Sequence, residues 1–319
     1  MEVGPPPVGY GKDYLSVLDL APQDLDRLLA LSAQLKADRC LRSAAPSAGA
    51  LSGMHIALLF EKPSLRTRTT FEVAARELGA WPLDVPAQFA GGSREPLEDV
   101  ARNLERWVDA IVVRTYAQEK VDTLARSARR MHVINALTDE QHPCQALADA
   151  FTMVERWGGT LAGRKVAFVG DGNNVATSLA HVACMLGITV HVASPDAYEL
   201  PAAVVEEAAS AARAGAEVRL FTDPREAVRG VDAVYTDVWT SMGEEAEADD
   251  RQRIFAPYQV NDALMAAAAP DALFMHCLPA HRGDEVTADV LESAASVVFD
   301  QAENRLHTQK ALLLVLLQQ

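Results

Sequence analysis

Positive charge is what this sequence has least of relative to its counterpart. Only 29 lysines and arginines stand against 44 aspartates and glutamates, a formal net charge of −15 at pH 7. That balance argues against a general nucleic-acid or anionic-membrane surface. Cysteine is scarce as well. Cys40, Cys144, Cys184 and Cys277 are the four in 319 residues, and no two have CxxC spacing. In a chain this long they read as reduced cytosolic thiols and exclude a disulfide framework. Long apolar runs are missing: Ala311–Leu317 is far below the roughly 20 residues a membrane helix needs. The opening MEVGPPPVGYGKDY lacks the basic-then-apolar order of a secretory signal, which adds to a cytoplasmic expectation. No repeat of solenoid period is present.

What is there is enough for two full cores. The length predicts two domains, and 49% of the residues are hydrophobic. Leu25, Leu28, Leu29 and Leu35 recur at near-helical spacing, predicting an opening helix over 22–36. A loop over 43–53 precedes the strand 55–60, a helix over 69–80 ending at Gly79, a loop over 87–96, a helix over 97–108 and the strand DAIVVRT. A second series runs strand 165–169, helix 174–186, strand 188–193, helix 201–214, and strands 217–221, 232–236 and 272–276. Alternating strands and helices predict α/β architecture: two doubly wound domains, each a mostly parallel sheet with helices on both faces. The boundary is placed in the connecting helix over 136–155, so that 1–140 form the first domain and 141–302 the second. The acidic segment 243–253 reads as a mobile loop, and the final helix, 303–319, as an element returning to the first domain.

Against the acidic background, FEKPSLRTRTTFE gathers Lys62, Arg66 and Arg68 between a strand and a helix start. A helix N-terminus offers unpaired N–H groups and the positive end of a dipole. Ser64 and Thr67 add hydroxyls, and Arg66 a planar fork suited to phosphate oxygens. The plain alternative is a solvated turn with a capping residue. The loop is not a Walker loop, since GxxxxGK[ST] is absent.

The spacing resembles the S-x-R-T-R signature of the aspartate and ornithine carbamoyltransferases. HPCQALAD (142–149), GDGNNVATSL (170–179), DVWTSMGEE (237–245), HCLPAHRG (276–283) and AENRLHTQKA (302–311) follow in that family's order, covering nearly the whole chain. HPCQ, HCLP and SMG match the ornithine branch, where the aspartate branch has HPTQ and HPLPR. The resemblance implies transfer of the carbamoyl group of carbamoyl phosphate to the side-chain amine of ornithine, giving citrulline and phosphate, with no cofactor and no metal. The alternative within the family is a related amine such as putrescine or an N-acylornithine. A binding protein that had lost the chemistry would be expected to lack Arg66, Arg114, His142 or Cys277, and all four are present.

The resemblance also implies roles. Ser64, Leu65 through its backbone, Arg66 and Thr67 hold the phosphate, and Arg114 bridges phosphate and carbonyl oxygen. Of His142 and Gln145, three residues apart, one donates to the carbonyl oxygen and the other contacts the carbamoyl nitrogen. Arg305 returns to the same ligand, Cys277 also contacts it, and Leu278 offers it a backbone carbonyl. Asn174, with Asn173 as a companion, Asp237, Ser241 and Met242 take the amino acid. Cys277 and Asp237 place and deprotonate the δ-amine. VGDGNNV mimics a dinucleotide loop, but GxGxxG counted from Gly170 needs glycine where Val175 stands. A residue from a neighbouring subunit usually completes the family's site, implying a trimer or a multiple of trimers. Ala90 stands at that place here, with Gln88 nearby as the substitute.

Overall fold

The computed structural model describes residues 11–89, 95–159, 161–240 and 245–318. The chain divides into two compact units. One holds Met1–Phe151 and Glu303–Gln319, the other Thr152–Ala302. Both changes of unit fall inside helices, Pro143–Trp157 and Val298–Leu317. The first lies beyond the 140/141 boundary expected from the sequence. The start of helix Pro143–Trp157 is tied into the first unit: the Tyr14 hydroxyl donates to the Pro143 carbonyl at 3.2 Å, and the Cys144 thiol to the Asn135 carbonyl at 3.3 Å.

The first unit contains a four-stranded parallel sheet in the order β2-β1-β3-β4, with β1 His55–Phe60, β2 Trp81–Val85, β3 Ala110–Arg114 and β4 His132–Leu137. The run over β1 is buried on alternate residues of both faces, as a strand covered by helices on two sides must be. One face of this core packs Ala57, Leu59, Ile111, Val113 and Val133 against Val121 and Leu124. Two of these strands, β2 and β4, and the helix Gln118–Ser127 escaped the sequence reading. β2 is an edge strand with exposed Trp81 and Leu83, so it shows no apolar run.

The second unit contains a five-stranded parallel sheet, β7-β6-β5-β8-β9, with β5 Lys165–Val169, β6 Thr189–Ala193, β7 Val218–Phe221, β8 Ala233–Thr236 and β9 Leu273–His276. These strands agree with the expected series to within a residue at each end. Val169, Val234 and Phe274 face Val228, Val231, Leu264 and Leu291 in the core. The segment expected as a mobile acidic loop is instead helical over Ala248–Phe255. Its acidic residues fill the first turn, where the helix dipole favours them, and Arg251 and Phe255 are buried on its inner side.

In each sheet the strand order reverses once, between β1 and β3 and between β5 and β8. In open parallel sheets, ligands bind beyond the carboxyl ends of the strands at such a reversal. No helix among the described residues is long and apolar enough to cross a membrane.

Candidate active site

In the first unit, the reversal point gathers the basic residues. Beyond β1 the chain turns through 61–64 into helix Leu65–Glu77, which begins four residues before the expected start at 69. Ser64 is its N-cap. The hydroxyl oxygen accepts from the Thr67 N–H at 3.2 Å, which leaves its own proton available to donate. The N–H of Leu65 has no acceptor within the helix, and the Leu65 side chain is exposed. Arg114 ends β3 directly opposite Phe60 of β1 and is buried. The β3–β4 register shifts between Val113 and Arg114, the irregularity by which a strand end re-aims a side chain.

His142 precedes helix Pro143–Trp157 and is buried. Burial drives its pKa well below the ordinary histidine value, and Arg305, Arg114 and Arg66 push it further down. Three guanidinium groups from three elements thus share one field around a neutral imidazole. Gln145, also buried, donates its amide N–H to the Asp149 carboxylate at 2.8 Å, while its Oε1 has no hydrogen-bond partner among the described residues. Arg305, on helix Val298–Leu317, donates to the hydroxyl oxygen of Thr67. That helix is held in the first unit by Lys310 to Glu77 at 2.9 Å and Lys36 to Asn304 at 2.8 Å. The other cations of the basic loop are engaged elsewhere. Buried Lys62 pairs with Asp139 over the Tyr116 ring, 4.2 Å from its centroid, and Arg68 pairs with Asp84 at 2.6 Å. Of the cluster's three cations, Arg66 is the one whose charge acts on His142, together with Arg114 and Arg305.

In the second unit, β5, β8 and β9 end on one line, Val169 paired with Thr236 and Thr236 with His276. The next residue of β8 is Asp237, and of β9 Cys277. The Cys277 thiol donates to Asp237 Oδ1 at 2.9 Å, and the Asn173 amide donates to Asp237 Oδ2 at 3.0 Å. Asn173 is also the N-cap of helix Asn174–Met185, its Oδ1 accepting from Val175 and Ala176 N–H groups. It is thus a holder of Asp237, while Asn174 opens the helix. Gly172 is glycine for packing: a Cβ would meet the Leu200 nitrogen at 2.4 Å. Burial lifts Cys144 to about 12 and Cys184 to about 11.

His276, read from the sequence only within the HCLP motif, and Glu285, missed there, shape the turn at Cys277. His276 Nδ1 accepts the Leu278 N–H at 2.8 Å, so its Nε2 carries the proton and faces the buried Glu285 carboxylate at 3.2 Å. Leu278 is held at φ 59, a conformation unusual for leucine. Asp237, His276 and Cys277 offer ligand atoms within 4.8 Å of one another, but this bonding leaves His276 no lone pair for an ion. Ser241 and Met242, like Ala90, lie outside the described residues. Gln88 is exposed, shortly after β2.

Two family models match the chain. That of the aspartate/ornithine carbamoyltransferase carbamoyl-P binding domain covers residues 12–155, and that of the Asp/Orn binding domain covers 162–316. The chain is 52% identical over 308 residues to the ornithine carbamoyltransferase of Acidothermus cellulolyticus, with 96% of each chain covered. It is 49% identical to that of Thermosynechococcus vestitus, again over 96% of each. The crystal structure of ornithine carbamoyltransferase from Thermus thermophilus aligns with a TM-score of 0.86 at 46% identity, over 96% of this chain and 99% of that one. The enzyme from Pyrococcus furiosus aligns with a TM-score of 0.91 at 47% identity, over 96% and 97%.

Proposed function

The chain belongs to the aspartate/ornithine carbamoyltransferase family, and on that premise we propose that it transfers the carbamoyl group of carbamoyl phosphate to the δ-amine of L-ornithine, giving L-citrulline and phosphate. The observation that carries this reading is the convergence of Arg66, Arg114 and Arg305 on neutral His142. Three guanidinium charges acting on one histidine suit a multiply charged anion, and a phosphate ester is one.

The phosphate takes the Ser64 hydroxyl, the Leu65 N–H, Arg66 and Thr67, with Arg305 held in place by Thr67. Arg114 bridges phosphate and carbonyl oxygen. The roles of the His142–Gln145 pair divide by their bonding. Gln145 has its amide nitrogen committed to Asp149, so its Oε1 accepts from the carbamoyl nitrogen. His142 is left to donate to the carbonyl oxygen, as a neutral hydrogen-bond donor to the developing oxyanion. Leu278 adds its carbonyl to the carbamoyl nitrogen. On the amino-acid side Asn174, Ser241 and Met242 take the backbone groups of ornithine. Attack requires the δ-amine to lose a proton, and the Asp237 carboxylate beside Cys277 is the acceptor at hand. The nitrogen lone pair then forms the new bond to carbon, the tetrahedral intermediate collapses as the bond to the phosphate oxygen breaks, and the second proton of the attacking nitrogen leaves with the phosphate.

The same reading includes a cytoplasmic enzyme of arginine metabolism, assembled as a trimer or a multiple of trimers with Gln88 reaching a neighbour's phosphate. Exposed Trp81 and Leu83, both on edge strand β2 shortly before Gln88, support an association of chains at that edge. Sedimentation equilibrium measures that assembly. For the reaction, the purified chain is supplied with carbamoyl phosphate and, in parallel, ornithine, putrescine and N-acetylornithine. Citrulline formed from ornithine at the highest kcat/KM is expected, and a preference for either other amine would overturn the choice of substrate.

A further inference from the structure

Arg251 lies in none of the motifs that carry the family resemblance, yet it is buried and makes contacts on every side. Its guanidinium forms an ion pair with Asp171 and donates through Nε to the Trp239 carbonyl. It lies 4.9 Å from the centroid of the Tyr198 ring and 5.3 Å from that of Phe255. Trp239 in turn stacks on Phe255 at 6.2 Å. Asp171 belongs to the loop after β5 and Trp239 to the segment after β8. Each of these two loops also supplies one member of the Asn173–Asp237 pair, bonded at 3.0 Å. The Tyr198 carbonyl accepts the Gly172 N–H at 2.8 Å, so the aromatic wall over the guanidinium is itself tied to the β5 loop.

We infer that Arg251 is a positioning residue for the amino-acid half of the site, setting the separation of the two loops and through them the aim of Asp237 at the amine. Arginine suits the place because one planar fork reaches a carboxylate and a carbonyl at once, while its faces stack on rings. Lysine would keep the charge toward Asp171 but could not hold both acceptors in a fixed geometry. A purely structural role for the helix Ala248–Phe255 would lower stability without distinguishing one substrate from the other.

The inference rests on the proposed reaction, and the test separates the two. Full-length wild type, Arg251→Gln, Arg251→Lys and Asp171→Asn are assayed for citrulline with each substrate varied in turn. Arg251→Gln should raise the ornithine KM about tenfold to a hundredfold, the scale expected when a reacting group is misplaced. The KM for carbamoyl phosphate should stay within about twofold, because its ligands are untouched. Arg251→Lys should recover part of the loss, and Asp171→Asn should show the same one-sided shift. If Arg251→Gln does not fold, Asp171→Asn decides alone. Wild-type activity with an unchanged ornithine KM in the variants, or equal rises in both KM values, overturns the positioning role. Wild type that forms no citrulline overturns the reaction itself.

Discussion

Arg66, Arg114 and Arg305 come from a helix start, a strand end and the last helix, and their fields add at His142. Each residue type was legible as a candidate because the motifs around it were specific. Their partners were not: nothing in the order of residues says that Arg68 pairs with Asp84, that Lys62 pairs with Asp139, or that Arg66 shares the field at His142. Removing Arg66 as alanine should delete a charge-assisted contact of about 1.5–3 kcal/mol and weaken carbamoyl phosphate binding at least about tenfold. The same variant should let the His142 pKa rise in an NMR titration, since one of its repelling cations is gone. A chemical shift of His142 that titrates identically in both chains would contradict the shared field. Cys277→Ser should spare carbamoyl phosphate affinity and damage ornithine use, because the thiol donates to Asp237, the carboxylate proposed to face the amine. Steady-state kinetics with each substrate varied reads the two effects apart.

At the scale of elements, turns and strand ends do the positioning. The β5 loop illustrates why a glycine pattern alone misleads. Gly172 occupies the second glycine position of a would-be dinucleotide fingerprint, yet the backbone of Glu199 and Leu200 fills the space next to it. Gly172→Ala should therefore force backbone apart and cost about 1–3 kcal/mol, the range of overpacking. The urea midpoint should fall with an unchanged slope. An unshifted midpoint would mean that the 199–200 segment yields freely. The acidic stretch 243–253 read as a loop because its charges mask any apolar stripe. It is helical over Ala248–Phe255 because those charges sit at the favourable end of the dipole and Arg251 finds its partners in tertiary structure.

For the whole molecule, the buried histidines set an acid limit. His142, His181, His191 and His307 all have pKa values lowered by burial, His307 to about 4. Unfolded, each would take up a proton near pH 6.5; folded, each resists it. The unfolded state therefore binds more protons below about pH 6.5, and stability falls as pH falls from there toward 5, by up to about 1.4 kcal/mol per pH unit for each histidine. Above pH 7 these groups contribute no slope. Urea unfolding between pH 7.5 and 5 checks this, and His307→Gln should flatten the dependence by about one proton. A stability that is level between pH 6.5 and 5 would show that these side chains are solvated in the folded chain.

What the sequence determined by itself is local: strands of the second unit, read from buried apolar runs, and the motif residues, read from their spacing. Parallel pairing followed as well, since alternating strands and helices leave little else. Strand order, and with it the reversal points where both half-sites form, came only with the tertiary structure, because hydrogen bonds between β1 and β3 or β5 and β8 join segments far apart in the chain. Edge strand β2 was hidden for the opposite reason, having too little burial to write an apolar pattern. The lowered pKa of His142, the bond that holds Gln145 to Asp149, and the place of Arg251 were likewise decided in three dimensions. Each depends on charge, burial or a hydrogen-bond partner contributed by a distant segment, and a linear pattern carries none of these.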